Sequence, residues 1–338
     1  MPRQPRLQHP GAHYHVMARG NRREAIFRDD ADRRFFLHAL GQACERTGWE
    51  VLAWVLLDNH YHLVLHTPEA NLVAGMKWLQ NAYTRRFNVR HRLWGHLFGG
   101  RYKSIIVEDG EYLKSVVDYV HLNPVRARLV TTREGLESYA WSSLPGMLAA
   151  PRKRTHWLAA ARALELVQLP DTPAGRRRYV ERLEEVVDWQ KRGGAGLRQS
   201  EGGSLNRSLR HGWCYGSEEF REKLLRLAGK STSSNANYRG SPLGREHGER
   251  AAEQLLKAGL KSYELNLESM RSSRGGDPRK QEMAWVLARH TTVTQAWIAA
   301  RLGMGSASHV SHVSHQAARH EKKTGGKSKA VERPKWMP

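Results

Sequence analysis

The chain has 338 residues and a formal net charge of +22, with 40% hydrophobic residues and a mean hydropathy of -0.66. This length predicts two or three domains, and the charge favours a polyanion such as nucleic acid, because each phosphate that Lys or Arg neutralises releases bound counterions. No apolar run approaches the roughly 20 residues of a transmembrane helix, and the basic N-terminus lacks the apolar core of a secretory signal, which predicts a cytoplasmic protein without a membrane partner.

The first half of the chain alternates between patterns typical of strands and of helices. Apolar or alternating stretches predict strands at 12–18, 49–57, 60–67 and 101–107. Helices are predicted between them, with Asp29 or Asp30 as the cap of the first. A further helix, capped by Asp109, follows the fourth strand and carries Tyr119. The order strand, helix, strand, strand, helix, strand is the split βαβ plan of a ferredoxin-like antiparallel sheet.

Two H-x-H triplets stand in predicted strands. In His60-Tyr61-His62 the alternation of a strand directs both imidazoles to one face, and imidazole is the commonest metal ligand in proteins. His66 shares that face, where it is expected to meet DNA or solvent. His13 and His15 form a rival triplet in the first strand, and the alternative is that they too face solvent or DNA.

Tyr119 and Asn123 stand four residues apart just before Pro124, so a phenol and an amide oxygen share one face near the end of a helix. A divalent ion, Mg²⁺ or Mn²⁺, held by His60, His62 and the side-chain oxygen of Asn123 would polarise a phosphate group. Tyr119 would then attack the phosphorus.

Two neighbours of Tyr119 are weighed against it. Tyr112 lies seven residues earlier and roughly shares the same helix face, but Val116 stands where an Asn partner would be needed. Asp118 could be a base or a metal neighbour. Its position next to Tyr119 turns it away from that face, so a solvated carboxylate is expected.

Together these motifs resemble the REP-associated tyrosine transposases, a branch of the single-tyrosine insertion-sequence transposases of the HUH class. The resemblance covers roughly residues 10 to 145 and is carried by His60-Tyr61-His62, Tyr119 and Asn123-Pro124-Val125-Arg126-Ala127. It implies an antiparallel sheet with helices on one face, the two histidines on a central strand and the tyrosine on a helix beside it. Many insertion-sequence enzymes have Gln where this chain has Asn123.

The resemblance also implies an activity and a substrate. Members of this class nick and rejoin single-stranded DNA in a metal-dependent reaction through a 5'-phosphotyrosine intermediate, and the REP-associated branch implies hairpin-forming, REP-like DNA. The covalent link conserves the energy of the broken bond, so no nucleotide triphosphate is required, in agreement with the lack of a Gly-x-x-x-x-Gly-Lys-Ser/Thr loop. A monomer or a homodimer is expected.

The chain is predicted to continue beyond this catalytic domain as an α-helical C-terminal extension. The predicted boundaries are 1–148 for the catalytic domain, 149–228 for a helical extension, 229–248 for a linker, 249–320 for a helical region and 321–338 for a basic, disordered tail. Helices at 281–288, 294–302 and 306–319 resemble a helix-turn-helix whose third helix enters a major groove. Cys44 and Cys214 have no neighbouring Cys partner and are predicted to fill core positions.

Candidate DNA contacts lie in both parts of the chain. The predicted phosphate contacts of the catalytic domain are Arg101, Lys103, Arg126 and Arg128, and the alternative for each is a solvated cation. In the third helix of the helix-turn-helix the candidates are Ser306, His309 and His312.

Four functions are compatible with these features. The first is a single-tyrosine DNA transposase acting on single-stranded and hairpin DNA. The others are a DNA- or hairpin-binding regulator that keeps the fold without catalysis, an RNA-binding module, and a relaxase or replication-initiator nuclease. An RNA-binding sheet would normally expose aromatic side chains, whereas this sequence places His60 and His62 at the central positions.

Overall fold

The computed structural model describes residues 6–191, 212–231, 242–291 and 293–313. They fall into two compact units, Arg6–Glu222 and a second that begins at Lys223. The first unit runs beyond residue 148 and includes described residues of the predicted helical extension. The predicted division of the chain at residues 148, 228, 248 and 320 stays a prediction.

The first unit is built from five strands and eight helices or parts of helices among its described residues. They are β1 Ala12–Arg19, α1 Asp30–Thr47, β2 Glu50–Leu57, β3 His60–Thr67, α2 Leu72–His91, β4 Lys103–Val107, α3 Glu111–His121, α4 Asn123–Arg126, α5 Leu144–Leu148, α6 Ala160–Glu165, α7 Pro173–Lys191, β5 Cys214–Tyr215 and the start of α8 Glu218–Ser231. The predicted order of elements from β1 to α3 is confirmed, because each follows a local apolar period that the sequence displays.

The strands form one sheet in the order β2-β3-β1-β4-β5. All neighbours are antiparallel except β4 and β5, which are parallel. In the β1–β3 ladder, Val64 lies opposite His15 and His62 lies opposite Met17. Since directly opposed residues project to the same face, the imidazoles of His15 and His62 share one face of the sheet.

Helices cover both faces of this sheet. On one face the ring of Phe36, from α1, lies 4.7 Å from Tyr61 of β3, and α2 packs against α1. On the other face, Val116 and Val120 of α3 share an apolar core with Val64. The expectation of helices on one face is wrong in this respect, because β3 buries side chains on both of its sides.

The sequence predicts N-terminal caps for α1 and α3, and the structure confirms the first of them. Asp29 caps α1, where its Oδ1 accepts a hydrogen bond from the Asp32 N–H at 3.0 Å. The prediction that Asp109 caps α3 is wrong by one residue: Gly110 is the cap, with φ of 75°, a backbone conformation that glycine adopts without a steric cost. Asp109 instead accepts from the Gly110 N–H at 2.8 Å.

Helix α7 and strand β5 extend the first unit around the tyrosine helix. Arg182 of α7 donates to Oδ2 of Asp118 at 2.9 Å, so the expectation of a solvated Asp118 is wrong. His121 of α3 is buried with its Nδ1 2.8 Å from the hydroxyl of Tyr179. These contacts tie α3 to α7. The prediction of core positions for both cysteines is confirmed, because Cys44 and Cys214 are buried.

The described residues of the second unit form helices joined by short connecting segments. Its elements are the end of α8, α9 Pro242–Ser262, α10 Leu267–Ser272, α11 Pro278–His290, α12 Gln295–Leu302 and a helical segment at 307–313. Leu256, Met283, Ile298 and Val310 lie in its apolar core. The predicted helix 281–288 lies within α11 and that at 294–302 matches α12, while the last part of the predicted helix 306–319 lies outside the described residues.

No helix in the described part of the chain combines the length and the apolar character that crossing a membrane requires.

Candidate active site

His60 and His62 lie on β3 and project toward α3. Their ring centroids are 5.2 Å apart. His60 is half-buried, with its Nδ1 2.7 Å from Oδ1 of Asn59, and burial lowers its pKa to about 4. His62 is buried, and burial holds its pKa well below the usual value. Both imidazoles are therefore neutral near pH 7, which is the form that binds metal ions.

His15 joins this pair from the neighbouring strand β1. Its Nε2 lies 2.9 Å from Nδ1 of His62, and the two rings stack with centroids 5.1 Å apart. Burial lowers the pKa of His15 to about 3. The expectation that His13 and His15 face solvent or DNA is wrong, because both side chains are buried on the sheet face that α3 covers. The H-x-H spacing of residues 13–15 indicated a possible metal site, but only the register between β1 and β3 places His15 beside His62.

The ring of Tyr119 stands edge-on to both buried histidines. Its centroid lies 5.7 Å from that of His62 and 6.1 Å from that of His15. The guanidinium carbon of Arg126 lies 4.6 Å from the centre of the Tyr119 ring. A cation in this position is attracted by the ring and brings positive charge to the Tyr119 side of the site.

Asn123 begins α4, directly after the tyrosine helix. It is buried, and its Nδ2 donates to the backbone oxygen of Tyr119 at 3.2 Å, which leaves the side-chain oxygen as the acceptor atom. Among the described contacts, no hydrogen bond joins Asn123 to His60 or His62. Tyr112, the alternative nucleophile, instead packs edge-on against Tyr215 of β5 at 5.0 Å.

Each ring of the histidine pair keeps one nitrogen open for a divalent ion. Within the described residues, no group of three or more His, Cys, Asp or Glu side chains is arranged to hold a metal. The predicted ligand set differs from such a group, because it combines two imidazoles with an amide oxygen. Nδ1 of His60 and of His62 is engaged by Asn59 and His15, respectively. No described hydrogen bond involves Nε2 of either ring, so both Nε2 atoms are available as ligands.

Four cations of the first unit are predicted to contact DNA. Lys103 of β4 lies opposite Met17 in the β1–β4 ladder, and its partial burial lowers its pKa to about 8. Arg101 and Arg128 are exposed. Lys103 and Arg126 thus lie on the side of the sheet where the histidines and Tyr119 meet, and contact of any of the four cations with phosphate stays a prediction.

The predicted contacts of the second unit lie at the start of the helical segment 307–313. Ser306 accepts from the His309 N–H at 3.2 Å, and Nδ1 of His309 donates to the backbone oxygen of Met304 at 3.1 Å. His309 is therefore engaged within the turn, whereas His312 is exposed. DNA contact by any of the three stays a prediction.

A second polar cluster lies on the same sheet face, toward the opposite ends of β1 and β3. Arg162 of α6 donates to Nε2 of His13 at 2.9 Å and to Glu50 at 2.9 Å. His66 lies 3.0 Å from the same Glu50 carboxylate, with its ring 5.0 Å from His13. The expectation that His66 meets DNA or solvent is wrong, since it belongs to this network.

Because of this cluster, we expect the free energy of unfolding to fall at acidic pH. Burial is the main cause that lowers the pKa of His13 to about 4, with Asp109, Arg162, His66 and Glu50 contributing charge around it. The unfolded chain, with a histidine pKa of about 6.5, binds the proton more readily, so stability is lost as the pH falls from about 6.5 through about 4. Protonated His13 would also face the Arg162 guanidinium.

We expect His13→Gln to reduce this loss, because its amide oxygen accepts from Arg162 without titrating. Between pH 7 and pH 5 the free energy of unfolding should fall by about 1–2 kcal/mol less in the variant than in the wild type, as measured by urea denaturation. The exposed His38, changed to Gln, is the control and should leave the pH profile unchanged. An unaltered profile in His13→Gln would contradict the prediction.

The segment that carries this geometry, from β1 to Asn123, can be compared with known families. Residues 8–123 match the model of the family described as transposase IS200-like. The resemblance to these transposases is confirmed. The matched segment is 116 of the 338 residues, about a third of the chain, and it holds all four residues His60, His62, Tyr119 and Asn123.

One curated relative is a Haemophilus influenzae protein, itself provisionally assigned as a REP-associated tyrosine transposase, which is 26% identical to this chain over 102 residues. The alignment covers 27% of this chain and spans 58% of the relative's length.

Two solved structures are also similar. A REP-associated tyrosine transposase bound to a REP hairpin has 18% identity and a TM-score of 0.37, covering 42% of this chain and 82% of that one. A Deinococcus radiodurans protein provisionally assigned as a transposase has 19% identity and a TM-score of 0.26, covering 36% and 96%.

Proposed function

We propose that this protein is a metal-dependent DNA transposase that nicks and rejoins single-stranded, hairpin-forming, REP-like DNA through a phosphotyrosine intermediate. The observation that carries the proposal is the contact of Tyr119 with His62, whose ring centroids lie 5.7 Å apart. The Nε2 atoms of His60 and His62 make no described hydrogen bond there and are free to bind a metal ion. Similarity to the IS200-like transposases over residues 8–123 supports the same function.

The architecture of the first unit supports this assignment. The strand order β2-β3-β1-β4, with α1 and α2 as the two crossover helices, corresponds to the ferredoxin-like plan. His60 and His62 lie on β3, which has a hydrogen-bonded neighbour on each side. A strand held on both edges fixes the direction of its side chains, and this rigidity suits a site in which two ligands and a nucleophile must converge.

The chemistry assigns a separate role to each residue. Tyr119 attacks phosphorus, a bond forms between its phenolic oxygen and phosphorus, and the bond to the leaving 3' oxygen breaks, which yields a 5'-phosphotyrosine and a free 3'-OH. Attack by the 3'-OH of another strand reverses the step and joins the DNA. Arg126 stabilises negative charge at the attacking oxygen and the phosphate. Mg²⁺ or Mn²⁺, bound by His60, His62 and Asn123, would supply positive charge to the non-bridging oxygens.

The second unit would supply the grip on duplex DNA. Helix α12 ends at Leu302 and is capped by Gly303, whose φ is 67°. The helical segment 307–313 follows after a short turn. We propose that this pair is a helix-turn-helix in which Ser306, His309 and His312 approach the DNA. A cytoplasmic location and a monomeric or homodimeric state complete the proposal.

The test is the formation of a covalent adduct. The full-length protein is incubated with end-labelled single-stranded DNA that carries a hairpin from the flanks of its own gene, with Mn²⁺ or Mg²⁺ or with EDTA. We expect a denaturant-resistant protein-DNA adduct that requires the metal. His60→Ala should abolish it, whereas His66→Ala, on the same strand and the same face, should retain it because His66 pairs with Glu50. DNA that is bound but uncut by all variants would favour a binding protein instead.

A further inference from the structure

Trp94 is the most exposed large apolar side chain in the described part of the chain, at 92% of its full accessible surface. It follows α2 in the loop that leads to β4. The neighbouring Val89 and Leu93 are also exposed, at 68% and 37%. A single exposed apolar residue is common on protein surfaces, so the meaning of Trp94 depends on how its loop is held and what surrounds it.

The loop is fixed at both of its sides. On the helix side, the Leu93 N–H donates to the backbone oxygen of Asn88 at 2.9 Å, and Nδ2 of Asn88 donates to the backbone oxygen of Gly95 at 3.1 Å. On the sheet side, the Asn21 N–H donates to Leu97 at 2.9 Å. Trp94 therefore sits on a loop bonded on both sides, and a pre-organised aromatic ring binds with a small loss of conformational entropy.

These bonds place the loop at the end of the sheet that holds the active site. Gly99 donates to the backbone oxygen of Arg19 at 2.9 Å, and Arg19 lies opposite His60 in the β1–β3 ladder. Trp94 is three residues from Leu97, a span of at most about 10 Å in extended chain. The Trp94 ring is therefore within reach of a DNA strand whose phosphate lies at His60.

The charge around this loop complements a nucleic acid. Residues 71–107 contain seven Lys or Arg residues and no Asp or Glu. Arg90 among them is paired with Asp29 and Asp32, while Arg92 is exposed beside the tryptophan. Arg22 and Arg23, exposed on the turn after β1, add further positive charge. An aromatic face within a positive surface is the combination that binds single strands, because bases stack on the ring while cations hold the phosphates.

We propose that Trp94 is a stacking platform for an unpaired base of the DNA strand that enters the active site, with Arg92 and the arginines after β1 at the adjacent phosphates. The proposal rests on the proposed DNA substrate and adds where the single strand runs. It concerns binding alone, so it is tested without cleavage.

The experiment compares the full-length wild type with Trp94→Ala and Trp94→Phe. Affinity for a fluorescein-labelled single-stranded oligonucleotide is measured by anisotropy in EDTA, over a series of salt concentrations, beside a blunt duplex of the same sequence. We expect Trp94→Ala to weaken single-strand binding by about 5- to 150-fold, the range for loss of one stacked base, and Trp94→Phe to weaken it less. Duplex binding should be unchanged.

Two controls separate stacking from other effects. The salt dependence of single-strand binding should be the same in Trp94→Ala and in the wild type, because its slope counts phosphate contacts. Trp189→Ala, which removes another exposed tryptophan, 39% accessible on α7, should bind as the wild type does. Abasic sites are then placed one at a time along the oligonucleotide. At one position, loss of the base should weaken binding to the wild type but cause no further loss in Trp94→Ala.

The stacking proposal would be overturned if Trp94→Ala bound single strands as tightly as the wild type, or if it lost the same affinity for single strand and duplex. A change of oligomeric state in Trp94→Ala, measured by light scattering, would also overturn it, because this loop would then be a contact between copies of the chain. If the wild type forms no covalent adduct but Trp94→Ala behaves as expected, the platform stands and the catalytic proposal fails.

Discussion

Tyr119→Phe is expected to lower formation of the covalent protein-DNA adduct by at least about 10³-fold, as the loss of a covalent nucleophile does in other enzymes. The phenyl ring keeps the edge-on contacts with His62 and His15 and the contact with Arg126. The fold and DNA binding should therefore persist while the attacking oxygen is absent. The measurement is a denaturing gel of labelled single-stranded DNA incubated with Mn²⁺.

Tyr112→Phe is the matched control for this variant. Tyr112 lies on the same helix, but its ring packs edge-on against Tyr215 at 5.0 Å rather than against the histidines. We expect its adduct yield to equal that of the wild type. An adduct that survives in Tyr119→Phe and disappears in Tyr112→Phe would reverse the assignment of the nucleophile.

His15→Leu is expected to weaken Mn²⁺ binding by about 10- to 100-fold, the usual cost of removing the partner of a metal-binding histidine. For Nε2 of His62 to bind a metal, its proton must reside on Nδ1. Nδ1 then donates to Nε2 of His15, 2.9 Å away. With Leu in place of His15, this hydrogen bond is lost, and no other described hydrogen bond selects the tautomer of His62 that binds metal.

His15→Gln separates this role from a purely structural one. Its amide oxygen can accept the His62 proton, so we expect it to retain more Mn²⁺ affinity than His15→Leu. Isothermal titration calorimetry without DNA gives the affinity, and thermal unfolding of the metal-free proteins reports any loss of folding. Equal Mn²⁺ affinity in His15→Leu and wild type would show that His15 does not position the ligand.

Local periodicity was sufficient to predict where the side chains of the candidate site lie on their strand and helix. The two-residue repeat of a strand places His60 and His62 on one face, and the four-residue spacing of a helix brings Tyr119 and Asn123 together. The order of elements up to α3 follows from the same repeats. These features depend on residues close together in the chain, so the sequence alone determines them.

The tertiary structure decided which distant residues meet. The pairing of His15 with His62 joins residues 47 positions apart, and it depends on the register between β1 and β3. The ion pair of Asp118 with Arg182 spans 64 positions and requires α7 to pack on α3. The triplet at residues 13–15 has the same local pattern as that at 60–62, so the spacing by itself does not show that His15 lies beside His62. Strand register and helix packing are set by burial of the whole apolar core, and the free energy of that burial is a property of the folded chain rather than of any one segment.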